Sequence, residues 1–422
     1  SSFLRRAGPS LPLRVGFKWQ ERWRNEEYSE EHYLEWLEYL HSQRGRWEEI
    51  TIRISRKDLY TFEDKLKEWN TDIPWVARTI TLEAQPGDTL EPTYTPSPGL
   101  LPKFFPHLKR LSIHSGLSGL LKDNQSLFLQ GESSEVVDLS LIIEGYDART
   151  YLAKLLTFRS LRELSLTHEE LDMALFPLEG DALPEFPFLE HLKISDISTY
   201  SLLKRFRTPN LKRLQLLSDL QQFNWNQLYN AVHHDRLHLS FNDLVDFIER
   251  CQDTLQHFRY DVWLLNNEEL LTLLQTMPGV HTLCAGSWFR NHHSGLYRGG
   301  SEEKEEDEYK PGPYSPTQSS SFLPVLRKLC IHHPVVDHPS HPRHRLLDYA
   351  WPRVWRFVRS AARREQGTGQ VSGEVRTGSF VFCLPKEISK AEWEETDANA
   401  RLDSLLTDEE LDIVIEQLAT CH

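Results

Sequence analysis

An α/β fold, an irregular solenoid with parallel strands on its concave face and helices on its convex face, is predicted by three observations. The runs LRELSL (161–166), LEHLKI (189–194) and LKRLQL (211–216) repeat one template, L-x-x-L-x-L, each after a short lead-in, FRS, FPF or TPN. In an extended backbone alternate side chains share a face, so template positions 4 and 6 turn inward together. First template positions then fall at Trp47, Ala77, Leu108, Val136, Leu161, Leu189, Leu211, His234, Leu255, Val280 and Leu326, with spacings of 21 to 31 residues except for 46 before Leu326. Most of these spacings lie in or near the leucine-rich-repeat range, in which each unit covers the apolar side of its neighbour. Helical periods sit between the strands. A strand followed by a helix returns the chain to the same end, which makes successive strands parallel.

Taken in order, residues 1–28 show no clear periodicity. Residues 29–40 place Tyr33, Trp36, Leu37 and Leu40 at amphipathic helical spacing, with Ser29 as N-cap and Glu30 and Glu31 in the first turn. WEEITI (47–52) and ARTITL (77–82) are irregular versions of the template, and between them 58–69 reads as a helix with Leu59, Phe62, Leu66 and Trp69 inward. The Pro- and Gly-punctuated stretch 86–99 reads as a loop. Further helical segments are expected at 150–158, 200–206, 242–251 (N-cap Asn242) and 267–279, the last ending at Pro278-Gly279.

The wide gap before Leu326 contains an insertion, 290–321, with SEEKEEDE at 301–308 and PGPYSPTQSSS at 311–321. Such text cannot bury enough apolar surface to offset its ordering entropy, so a projecting loop is predicted. After LRKLCI (326–331) come a His/Pro segment, a basic helix around Trp351–Val358, a strand at 378–384 and a helix at 407–418. In that last helix Thr407 and Glu410 form a capping box, and Leu411, Val414, Ile415 and Leu418 turn inward. Three regions result: an N-terminal segment with capping helix (1–45), the solenoid (46–345) and a C-terminal cap (346–422).

The bulk composition narrows the function classes. Apolar residues make up 39%, with 12 Trp, 14 Tyr and 20 Phe, enough to build a core. A net charge of −14 argues against a general nucleic-acid binder, which needs a basic surface. The cysteines at 251, 284, 330, 383 and 421 are odd in number and form no C-x-x-C pair, which suits free thiols in the cytoplasm or nucleus. No apolar run approaches the ~18 residues of a membrane span, and residues 1–17 lack the continuous apolar core of a secretory signal. No P-loop, G-x-G-x-x-G, G-x-S-x-G or HExxH occurs, so neither a catalytic constellation nor a cofactor is expected.

The lead-ins and strands FPHLKRLSI, FRSLRELSL, FPFLEHLKI, TPNLKRLQL and LPVLRKLCI, with the early HYLEWLEYL helix ahead of an isoleucine-rich strand, resemble the F-box/leucine-rich-repeat proteins of mushroom-forming fungi. The resemblance covers about residues 30–385. It implies a substrate receptor of a cullin–RING ubiquitin ligase, in which an F-box holds the adaptor and the repeats hold the substrate. Two features depart from that pattern. No L-P-x-E-I-L motif precedes the repeats, so adaptor binding is expected only if an F-box lies upstream of residue 1; LPKEI at 384–388 follows the repeats instead. The Asn or Cys usual after the template is replaced by Gly116, Glu169, Ile197 and Asp219, which predicts irregular turns.

The remaining chemistry lies on template positions 3, 5 and 7, which point away from the leucines. There Arg110, Glu163, His191, Lys193, Arg213, Gln215, His257, Arg259 and Lys328, with His114, His238, Asp261 and His332, carry more Lys and Arg than Asp and Glu. An acidic or phosphorylated protein partner is the expectation, because Arg offers bidentate contacts to such groups; solvated strand residues are the plainer reading. His332, His333, Asp337, His338, His341 and His344 are candidate zinc ligands, but interleaved prolines favour a solvated loop and no metal is assigned. The arginines at 353, 356, 359, 363 and 364 read as the wet side of a capping helix. The expected function is a protein-interaction module, either the substrate-recognition part of an F-box-type receptor or a scaffold with no ubiquitin role. A metal-dependent activity at the His cluster is a weaker third reading.

Overall fold

A computed structural model describes residues 13–18, 30–54, 56–69, 75–84, 103–114, 135–143, 155, 158–168, 185–195, 203, 206–217, 241–260, 272–285, 325–331, 380–384 and 413–417. The chain divides into two compact units, Ser1–Pro209 and Asn210–His422. Each is an α/β, solenoid-like ladder of parallel strands of the leucine-rich-repeat kind.

The first unit contains β1 (Leu13–Lys18), α1 (Glu30–Ser42), β2 (Trp47–Ile54), α2 (Arg56–Glu68), β3 (Thr79–Ala84), β4 (Arg110–Ile113), β5 (Asp138–Ile143), β6 (Glu163–His168) and β7 (His191–Ser195). Each strand from β1 to β6 pairs in parallel with the next in the chain. The pairing aligns Ile50, Ile80, Leu111, Leu139, Leu164 and Leu192 in one row and Ile52, Leu82, Ile113, Leu141, Leu166 and Ile194 in a second. All twelve are buried. Each buried aliphatic side chain contributes about 1.5–3 kcal/mol of transfer free energy, so these rows dominate the core. On α1, Leu37 and Leu40 are buried, and on α2, Phe62 and Leu66 are, as the helical spacing predicts. β1 lies in a stretch where no element is predicted.

The lead-in to each strand has a recurring physical basis. The N–H of Leu108 donates to Phe105 at 3.1 Å, and the N–H groups of Leu161, Leu189 and Val280 donate to Phe158, Phe186 and Met277 at 3.2 Å. These are i to i+3 turns. Pro106, Pro187 and Pro278 occupy the second position of three of them, where proline presets φ. The residue that opens each turn is buried. After the turn, the carbonyl at template position 2 accepts two N–H groups from the following repeat. Arg78 accepts from Lys109 and Arg110 at 2.8 and 2.9 Å, and Val137 accepts from Arg162 and Glu163 at the same distances. Lys109, Arg162, Lys212, Gln256 and His281 accept in the same way. Both carbonyl lone pairs are used, and regular pairing begins one residue later. Template position 3 is therefore the first residue of β4 to β11.

The second unit contains β8 (Arg213–Leu217), α3 (Phe241–Glu249), β9 (His257–Tyr260), β10 (Thr282–Ala285), β11 (Lys328–Ile331), β12 (Phe380–Leu384) and β13 (Ile413–Gln417), each strand parallel to the next. Leu214, Phe258, Leu283 and Leu329 form its inner row. Leu244, Phe247 and Ile248 of α3 are buried, and Asn242 lies inside the helix rather than capping it.

Two expectations are corrected here. β8 pairs directly with β9, so no strand of a repeat starting at His234 stands between Leu211 and Leu255; residues 234–240 lie outside the described residues. The predicted helix 407–418 is replaced in its described part by β13, paired with β12 along Ile413, Val414 and Ile415. Three consecutive β-branched side chains favour a strand, and β12 supplies backbone partners for it. Parallel strands thus continue beyond residue 345. The insertion at 290–321, the His/Pro segment 332–344 and the basic helix lie outside the described residues.

Candidate functional site

The residues at template position 3 stand in register across the first unit as Arg14, Glu49, Thr79, Arg110, Asp138, Glu163 and His191. Their charges are matched pairwise. Arg14 Nε lies 3.3 Å from Glu49 Oε2, Arg110 Nε lies 3.7 Å from Asp138 Oδ2, and His191 Nδ1 lies 3.4 Å from Glu163 Oε1. The last pair is ionic only when the imidazole is protonated. Burial pushes the Asp138 carboxyl up, the neighbouring Glu163 pushes it further, and Arg110 opposes both. Arg110 and Glu163 are exposed and His191 half-buried. Arg14, Arg110 and His191 therefore sit beside carboxylates, and the row is close to neutral.

Template position 5 brings together a row that charge patterning does not reveal. Thr51, Thr81, Ser112, Ser140 and Ser165 are in register on successive strands, and exposed Lys193 ends the row. Two residues further along these strands, Arg53 of β2 reaches Glu83 of β3 through Nε and Nη2, both 2.8 Å from Oε2.

In the second unit, position 3 reads Arg213, His257, Thr282, Lys328 and Val381, and position 5 reads Gln215, Arg259, Cys284, Cys330, Cys383 and Glu416. From β8 to β11 these positions hold Arg213, His257, Arg259 and Lys328 and no acidic residue. All four are half-buried, whereas Gln215 is buried at 8% exposure and is not presented as a surface group. Cys284, Cys330 and Cys383 are also buried, although they alternate with the inner row rather than belonging to it. Cys284 Sγ lies 3.8 Å from His257 Nε2. The cysteines are free thiols.

Of the predicted site residues, the two rows group Arg110, Glu163, His191 and Lys193 in the first unit and Arg213, His257, Arg259 and Lys328 in the second. His238, Asp261 and His332 lie outside the described residues, as does the remainder of the His/Asp cluster. Asp138, the hydroxyl row and the cysteine row are the groups that sequence patterning missed. Asp138 follows Val136-Val137 in a run whose first template residue is not leucine, so its register is weakly marked. Among the described residues, no three His, Cys, Asp or Glu side chains are grouped so as to hold a metal ion. Likewise no described helix is long and apolar enough to cross a membrane. No family model matches the chain, and no curated protein matches it.

Proposed function

We propose that this chain is a protein-interaction module that selects an acidic or phosphorylated protein segment through the strand face of its second unit that lies opposite the inner row. The observation that carries the reading is the cluster of Arg213, His257, Arg259 and Lys328, in register on β8, β9 and β11 with no acidic residue at the intervening face positions. Arg213 and His257 are register partners on strands ~4.8 Å apart, Arg259 lies two residues beyond His257 on β9, and Lys328 stands two strands from β9, beyond Thr282. A partner carboxylate or phosphate laid along this face would meet basic side chains from three strands, and the guanidinium groups offer bidentate geometry. The corresponding row of the first unit carries its own carboxylates, Glu49, Asp138 and Glu163.

The resemblance to F-box/leucine-rich-repeat proteins supports the more specific reading of a substrate receptor in a cullin–RING ubiquitin ligase. Affinity capture with the full chain tests both levels. Recovery of adaptor and cullin supports the receptor, while recovery of a protein partner without them supports a scaffold with no ubiquitin role. Changing Arg213→Glu together with Arg259→Glu is expected to weaken partner capture at least tenfold, about 1.4 kcal/mol. Unchanged capture by the double variant would remove the electrostatic reading.

A further inference from the structure

Cys284, Cys330 and Cys383 are separated by 46 and 53 residues in the chain but are direct register partners on β10, β11 and β12. Their exposures are 0%, 0% and 2%, and Val381 packs against them. In-register residues of parallel strands have nearly parallel Cα–Cβ bonds rooted ~4.8 Å apart. No disulfide joins them. Two thiolates on opposite sides of one metal ion, each with a metal–sulfur bond of about 2.3 Å, stand about 4.6 Å apart, a separation within reach of side chains rooted on adjacent strands. Among the described residues no three such ligands are grouped around one point, so the arrangement that the row itself offers is linear, two-thiolate coordination. Soft, two-coordinate sulfur ligation selects Cu(I).

We propose that the Cys284–Cys330–Cys383 row is a Cu(I) site in which Cys330 is the shared ligand, bound together with Cys284 or Cys383. On binding, two thiols each lose a proton to solvent and one Cu(I) joins the two sulfurs. The metal stays monovalent and no electrons move. The resulting bis-thiolate unit carries one negative charge, which burial disfavours. Compensating groups lie alongside: Arg259 is the register partner of Cys284, His257 Nε2 lies 3.8 Å from that sulfur, and Lys328 precedes Cys330 on the same face of β11. Cation neighbours of this kind favour thiolates. Cys251 has no comparable setting. It is a buried thiol just beyond α3 whose contact is the Phe247 carbonyl at 3.5 Å.

The test uses the full chain, reduced and kept free of oxygen, with Cu(I) supplied as its acetonitrile complex against a chromogenic Cu(I) chelator. The wild type and Cys251→Ala are expected to withdraw Cu(I) from the chelator equally well. Cys383→Ala, which keeps the Cys284–Cys330 pair, should still compete. Cys330→Ser, nearly isosteric and lacking the shared sulfur, should weaken binding by more than the ~10–100-fold typical of losing an outer-sphere contact. Cu(I) should also raise the melting temperature of the wild type, and chelator should reverse the rise. That second readout stands even if Cys330→Ser fails to fold. A wild type that neither competes nor shows the shift, or a Cys330→Ser variant that binds as tightly, overturns the proposal and leaves the sulfurs as small apolar packing groups.

Discussion

The indole Nε1 of Trp47 donates to the backbone carbonyl of Leu40 at 2.9 Å, within the core. That carbonyl, in the last turns of α1, also accepts the N–H of Gln43 at 3.2 Å. One bond thus joins the helix end to the first residue of β2. Trp47→Phe keeps an aromatic group but removes the donor and part of the ring. The expected loss is about 1–3 kcal/mol, from one buried hydrogen bond and a small void. Chemical denaturation measures it directly, and wild-type stability in the variant would show that the bond contributes nothing.

His41 makes the stability of the first unit sensitive to acid. Its ring stacks on Trp69 with centroids 4.2 Å apart and lies tilted against Trp75 at 5.9 Å. Burial holds its pKa below the ordinary 6.5, Arg44 lowers it further, and Glu38 opposes them. The unfolded chain therefore takes up a proton first as pH falls, so stability is full above 6.5 and declines between 6.5 and the lowered native value. Melting curves across that window should show the decline. His41→Phe, which keeps the stacking but does not titrate, should flatten it.

Asp138 works in the opposite direction. Its carboxyl is raised above 3.8 in the folded chain, so the folded form binds more protons just above 3.8 and stability falls as pH rises through that window. The cost of the ionised, half-buried group persists at neutral pH. Asp138→Asn removes it and gives up only the 3.7 Å contact with the largely exposed Arg110. Pairs of that kind contribute about 0–1 kcal/mol. Urea unfolding at neutral pH should find the variant at least as stable as wild type, with the difference closing below pH 3.8. A clearly less stable Asn variant would mean that the ion pair outweighs desolvation.

Adjacent residues of β6 should differ sharply in tolerance. Leu164 is 2% exposed and lies between Leu139 and Leu192 in the inner row. Leu164→Ala should cost about 2–5 kcal/mol. Ser165→Ala, on the other face, should stay within about 0.5 kcal/mol. Equal effects would contradict the assignment of faces.

Several mismatches between sequence and structure share one cause: a segment's own pattern is local, whereas its neighbours are not. The period of Leu411, Val414, Ile415 and Leu418 fits a helix as well as IVI fits a strand, and pairing with β12 decides for the strand. LHLS at 237–240 resembles the template, yet β9 already occupies the edge of β8 where such a strand would pair. β1 carries only LRVGFK, too short a run to announce itself without its partner β2.

The sequence by itself determined which side chains are buried in the repeats, and with them the α/β solenoid class. Leucines at positions 1, 4 and 6 repeat a two-residue period, and that period is a property of one extended segment. It also marked Arg213, His257, Arg259 and Lys328 as belonging to the opposite face. Only the tertiary structure decided which of those residues are neighbours. Contact across parallel strands passes over connections of any length, so it joined Cys284 to Cys330 and Cys383 and set Arg110 beside Asp138. The same pairing set Arg14, Arg110 and His191 beside carboxylates.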